Sequence, residues 1–89
     1  MSSRPYMQFY PADYLLNTKH LSTIEHGAYL LLIMHYWGTR GIPNDDVRLA
    51  RIVGLSVDDW LTIRSTIVEF FDEVDGQFRH GRIDADLAE

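Results

Sequence analysis

The side chains that could do chemistry in this 89-residue chain are four histidines and thirteen carboxylates, with no cysteine among them. The missing thiols exclude a thiolate metal site, a cysteine nucleophile and a disulfide framework. His26 and His35 stand nine residues apart on what reads as one helix, which at about 100° per residue puts them on opposite sides, so they cannot share a metal. Asp72-Glu73-Val74-Asp75-Gly76 has the look of the start of a calcium loop, but Ile83 occupies the twelfth position, where a bidentate glutamate is required. No H-E-x-x-H, G-x-S-x-G or phosphate-loop pattern occurs. The expectation is a non-enzymatic protein with no metal, no cofactor and no small-molecule substrate.

Contact with nucleic acid is the remaining chemistry the residue types allow. Its candidates are Arg48, Arg51, Arg79, His80 and Arg82 for phosphates, with Thr62 and Ser65 for bases or phosphates. The charge distribution weighs against it. Residues 1–43 balance at +1, whereas residues 44–89 set five arginines against eleven carboxylates, a balance of −6. A duplex-binding face needs cations against phosphates, and five scattered ones are a weak footprint. Tyr6, Phe9, Tyr10 and Tyr14 could make a stacking platform or an interaction surface, but no lysine or arginine is interleaved among them.

These residues must be carried by an organised core. Ser22 to Gly38 is its centre, because Ala28 to Trp37 contains one polar side chain and a helix apolar all round is expected to be covered on most sides. It is too short to span a bilayer. Ser22 and Glu25 form an S-x-x-E capping box at its start, and Gly38 and Gly41 are expected to supply the left-handed residues at its end. Before it, Tyr6 to Tyr10 suits an edge strand and Pro11 to Leu16 a brief helical turn broken by Asn17 and Thr18. After it, Thr39 to Pro43 reads as a loop, and Asn44 caps a helix over Asp45 to Val53 that Gly54 stops. Ser56 caps the next helix, Val57 to about Phe71, whose buried face is Trp60, Ile63, Ile67 and Phe70 with Leu61, Val68 and Phe71 beside them.

From Phe71 the period becomes that of strands, and Asp75-Gly76 between FDEV and QFRHGRI is a hairpin signal. A loop pairing Val74 with Phe78 would put both on one face and leave Ile83 on the other unless Gly81 marks a bulge. Asp84 to Glu89 reads as the first turn of another helix. The fold class is therefore mainly α with a small β-hairpin: a winged helix-turn-helix with an added N-terminal edge strand. Residues 1–21 form the aromatic segment, 22–38 the core helix, 45–71 the helix-turn-helix and 71–84 the wing. The exposed side of the proposed recognition helix, Asp58, Asp59, Thr62, Ser65, Thr66 and Glu69, is acidic, so protein interaction or self-association, with a homodimer expected, is favoured over groove insertion. The N-terminus lacks the unbroken apolar stretch of a signal peptide, and the expected location is the cytoplasm.

PYMQFYPADYLLNTKHLSTIEHGAYLLLIMHYW, then IPNDDVRLARIVGLSVDDW and FRHGRID, resemble the YdaU-like family of phage and prophage proteins over nearly the whole chain. The YPADYL and HLS-x-x-EHGAYLLL segments carry the likeness most specifically. The resemblance implies a domain similar to the N-terminal winged-helix domains of phage replication initiators, acting in a bacterial host to recruit replication machinery or recognise an origin. It also implies a longer chain, in which a helical or basic tail would supply the cations for DNA. A sequence-specific DNA binder, reading an origin or regulating transcription, is the alternative function.

Overall fold

A computed structural model describes residues 9–81 and Ile83. Helix α1 (Pro11–Thr18) leads into the long α2 (Thr23–Thr39), a two-residue strand β1 (Ile42–Pro43), the pair α3 (Asp46–Val53) and α4 (Val57–Val68), and the hairpin β2 (Asp72–Val74) and β3 (Gln77–Arg79). The architecture is mainly helical with a small antiparallel sheet in the order β1-β3-β2.

Local chemistry accounts for most of these boundaries. Ser22 accepts from the Glu25 backbone N–H at 3.2 Å and the Glu25 carboxylate accepts from the Ser22 N–H at 2.7 Å, completing the capping box of α2. Asp45, not Asn44, caps α3, its side chain accepting from the Val47 and Arg48 N–H groups. Helix α1 runs on through Thr18, whose hydroxyl donates to the Tyr14 carbonyl at 2.7 Å, so a residue expected to break the helix satisfies itself within it. Phe9 and Tyr10 are not in a strand, and the rest of the expected edge strand, with the helical turn at 84–89, lies outside the described residues.

The end of α2 departs from the glycine expectation. Arg40, not Gly38 or Gly41, is the left-handed C-cap at φ 62°, its N–H bonded to the Tyr36 carbonyl at 2.7 Å. Gly41 lies beside β3, where a Cβ would come within 2.6 Å of the flexible tip of the Gln77 side chain. Gly54 does cap α3 at φ 75°, its N–H directed at the Ala50 and Arg51 carbonyls. Leu55 follows with its N–H on Ala50 at 3.0 Å, which makes the three-residue turn into α4 tight.

The stretch read as a loop contributes the third strand. Ile42 pairs with Phe78 and Pro43 with Gln77, proline being tolerated on this edge because its missing N–H faces no partner. In the hairpin Asp75 and Gly76 both have positive φ, as a two-residue type I′ turn needs. The register is Val74 with Gln77 and Glu73 with Phe78, one residue tighter than the alternative considered from sequence, so Val74 is exposed and Phe78 alone enters the core. Ile83 reaches the core beyond the end of β3, with no bulge inside a strand.

Trp60, Tyr36, Ile42, Leu49 and Ile67 are fully buried at the junction of α2, α3, α4 and the sheet. A void of about 10 Å³ among Leu32, Ile42, Trp60 and Phe78 holds at most one water, far below the size of a ligand pocket. Two parts of the apolar surface stay open, against expectation. Leu61 is 50% exposed on α4, and α2 is covered on one side only, with Ile24 61%, Leu31 42% and Met34 53% exposed on the other.

The two left-handed caps predict opposite substitution effects. Gly54→Val places a β-branched residue at positive φ and should lower stability by about 1 kcal/mol or more. Arg40→Gly relieves a comparable strain and, after the larger chain entropy of glycine is subtracted, should raise stability by about 0.5 kcal/mol. Thermal or urea unfolding reads both, and an unchanged midpoint for Gly54→Val contradicts the turn geometry.

Candidate interaction surface

The polar centre of the domain is Asp46, in the first turn of α3. Its Oδ1 accepts from the Trp60 indole N–H at 2.9 Å and from Arg64 Nε at 2.7 Å. Arg64 also donates through Nη2 to Asn44 Oδ1 at 2.7 Å, and Asn44 Nδ2 donates to Glu73 on β2 at 2.7 Å. One chain of hydrogen bonds thus ties α3, α4 and the sheet together. The indole hydrogen bond first, then the Arg64 hydrogen bond and charge, hold the Asp46 carboxyl below its ordinary value, against a partial burial that pushes it up. The Arg64 guanidinium is thus committed to Asp46 and Asn44.

The candidate nucleic-acid contacts are spread over α3, α4 and the end of β3. Arg48 and Arg51 are exposed on α3, and the Arg48 Nε lies 4.0 Å from the capping carboxylate of Asp45, a loose, solvated pair. Thr62 and Ser65 are exposed on α4, but the Thr62 hydroxyl donates to the Asp59 carbonyl at 2.6 Å. Arg79 is exposed, opposite Asp72 in the strand pairing, and donates to the Arg40 carbonyl at 3.2 Å. His80 is half-buried: its backbone N–H donates to the Tyr36 hydroxyl at 3.0 Å, its Nε2 lies 2.9 Å from the Tyr29 hydroxyl, and its Nδ1 accepts from the Ile83 N–H at 3.4 Å. That histidine ties Ile83 to the core, its ring nitrogens facing Tyr29 and Ile83. Arg82 lies outside the described residues. Arg40 beside Arg79 was not singled out in sequence, since only the pairing of β1 with β3 brings residues so distant in the chain together.

The aromatic candidates divide. Tyr14 is half-buried, stacked on Tyr29 with ring centroids 6.1 Å apart, and its hydroxyl lies 2.7 Å from His26 Nδ1. Burial pushes this phenol above its ordinary value, outweighing the hydrogen bond with Thr18. Tyr14 therefore belongs to the monomer's own packing. Phe9 rests on Tyr14 at 5.4 Å and remains about half exposed, as does Tyr10, whereas Tyr6 lies outside the described residues.

On α4 the exposed side carries Val57, Leu61, Ser65 and Thr62 with Asp58, Asp59 and Glu69. The hairpin adds the exposed Asp72, Glu73 and Asp75, with Asp72 opposite Arg79. Among the described residues no three His, Asp or Glu side chains are grouped so as to hold a metal ion, and no helix is long and apolar enough to cross a membrane.

These features define a small, mainly helical domain in which a helix pair joined by a tight turn is tied to a three-stranded antiparallel sheet. The chain belongs to the family described as "Protein of unknown function (DUF1376)", whose model matches residues 5–88. It is 48% identical over 88 residues to the "Uncharacterized protein YdaU" of Escherichia coli (strain K12). The match takes in 99% of this chain and 30% of that protein, so the chain spans about a third of the relative's length. No solved structure matches it.

Asp46→Ala leaves the buried Trp60 N–H without an acceptor and should cost about 1–3 kcal/mol, and Asp46→Asn, which keeps an acceptor and loses the charge, should cost less. Because the folded carboxyl is held below its unfolded value, its contribution to stability is fully present above about pH 4 and is lost as the pH falls through the depressed folded value. Solvent reaches both partners, with 30% of the Arg64 and 38% of the Asp46 side chain exposed, so the charge part should shrink in salt. Urea unfolding of the parent and both variants between pH 2 and pH 7 checks the order and the acid loss.

Proposed function

We propose that this chain is a non-enzymatic winged-helix module of a phage or prophage replication-type protein, acting in the bacterial cytoplasm mainly by protein interaction or self-association. DNA contact by this domain alone is at most weak. In this reading α3 and α4 are the helix-turn-helix, β2 and β3 the wing, and the resemblance to replication-initiator domains supplies the replication context.

The observation that carries the reading is the exposed side of α4. A helix that enters a major groove presents donors and cations to phosphates and base edges. Here Arg64 is bonded to Asp46, and what remains outward is Asp58, Asp59 and Glu69 beside Val57 and Leu61, with only the hydroxyls of Thr62 and Ser65 as donors. Carboxylates pressed against phosphates would be desolvated with nothing to pair them, whereas apolar side chains ringed by acids suit a protein partner. The second reading, a sequence-specific DNA binder, is favoured by the tight Gly54-Leu55-Ser56 turn between two short helices.

Fluorescence anisotropy with labelled duplexes, run over a salt series, tests this. Weak binding at physiological salt, steeply salt-dependent and largely removed by Arg79→Ala together with Arg82→Ala, with little change on Thr62→Ala, is the expected result. Nanomolar binding to one sequence, with base preference controlled by Thr62 or Ser65, would overturn it in favour of an origin or operator reader.

A further inference from the structure

We infer that the open side of α2 is the interface of a symmetric, antiparallel dimer of this chain, with Leu31 at its two-fold axis. The inference rests on the self-association reading above and gives it a surface. Ile24, Leu31 and Met34 fall at i, i+7 and i+10 of one helix, all about half exposed or more, and with Gly27, His35 and Gly38 they make a continuous strip about 21 Å long. No charged residue interrupts it, although about a quarter of the chain is charged. Such a strip is what the centre of a protein interface looks like and is unusual on a lone surface helix.

The occupant follows from the strip's own symmetry. A two-fold axis through Leu31 sets each residue at the height of one equally far on the other side of position 31 in the second copy. Ile24 then lies level with Gly38, and His35 level with Gly27, so a bulky side chain on one helix meets a glycine on the other in both halves. Gly27 has no packing reason within its own chain, since a Cβ there would meet nothing within 4 Å. A glycine inside an exposed helix costs about 1 kcal/mol relative to alanine, which a close helix approach would offset. A contact along a single helix is at the small end of specific interfaces, below roughly 1,200 Å² in total, so the dimer should dissociate in the micromolar range.

Sedimentation velocity and light scattering on the whole chain, from micromolar to near-millimolar concentration, give the first readout. The parent should pass from monomer to dimer, and Leu31→Glu should weaken dimerisation about tenfold or more while circular dichroism stays unchanged, because a charge would be buried at the axis. The chain has no cysteine, so a single introduced thiol is unambiguous. Leu31→Cys should form an intermolecular disulfide under mild oxidation about tenfold faster than Ser65→Cys on α4, since only a residue near the axis brings two copies of its Cβ within bonding range. A dimer untouched by Leu31→Glu but lost on replacing Phe9 and Tyr10 would overturn the α2 interface and leave self-association standing. A monomer at every concentration overturns the dimer outright, and the anisotropy experiment then decides separately whether the wider protein-interaction reading survives.

Discussion

The hydrogen bond from the buried Trp60 indole to the half-buried Asp46 is the constraint on which the arrangement of the second half depends. Trp60 is fully buried at the meeting point of α2, α3, α4 and the sheet, and its indole N–H must find an acceptor there or pay the full cost of desolvation. Asp46 provides that acceptor from the first turn of α3, where its charge also suits the helix dipole. The same oxygen then takes Arg64, Arg64 takes Asn44, and Asn44 reaches Glu73. The crossing of the two short helices and the docking of the hairpin beside them are thus linked through one polar chain laid over an apolar core.

That linkage has a consequence for the surface. A guanidinium engaged on two sides by Asp46 and Asn44 is withdrawn from the pool of cations that could meet a phosphate. His80 is turned inward onto Tyr29 and Ile83, so it too serves the fold, whereas Arg79, opposite Asp72 in the hairpin, stays exposed. The outward groups on α4 are carboxylates, hydroxyls and two apolar side chains, and α2 leaves Ile24, Leu31 and Met34 open. Electrostatics and exposed apolar area both suit the proposed contact with protein.

Much of the helical frame was legible in the sequence because its signals are local. Ser22 with Glu25, Gly54, Ser56 and Asp75-Gly76 each act within a few residues, and each has the predicted geometry. What was not legible depended on contacts between distant segments. Ile42–Pro43 is a strand only because β3 lies beside it, and two residues carry no periodicity to read. The type of Asn44 suits a cap, but Asp45 takes that place and leaves Asn44 to bridge α4 and β2. The all-apolar run in α2 suggested burial on most sides, yet a domain of this size has too few other elements to cover a helix of 17 residues all round. For the same reason the half-exposed Leu61 could not be told from its buried neighbours by period alone.

The commitment of Arg64 to Asp46 is the point at which fold and surface chemistry meet, and the side-chain Nε–H resonance of Arg64 reports on it directly. In a two-dimensional ¹⁵N–¹H spectrum of the chain titrated with duplex DNA at low salt, that resonance and the Trp60 indole N–H should remain where they are in the free protein, even as signals from Arg79 shift. Movement of the Arg64 Nε–H together with the Trp60 indole, on addition of one equivalent of DNA, would mean that the guanidinium leaves Asp46 for phosphate and would contradict the account.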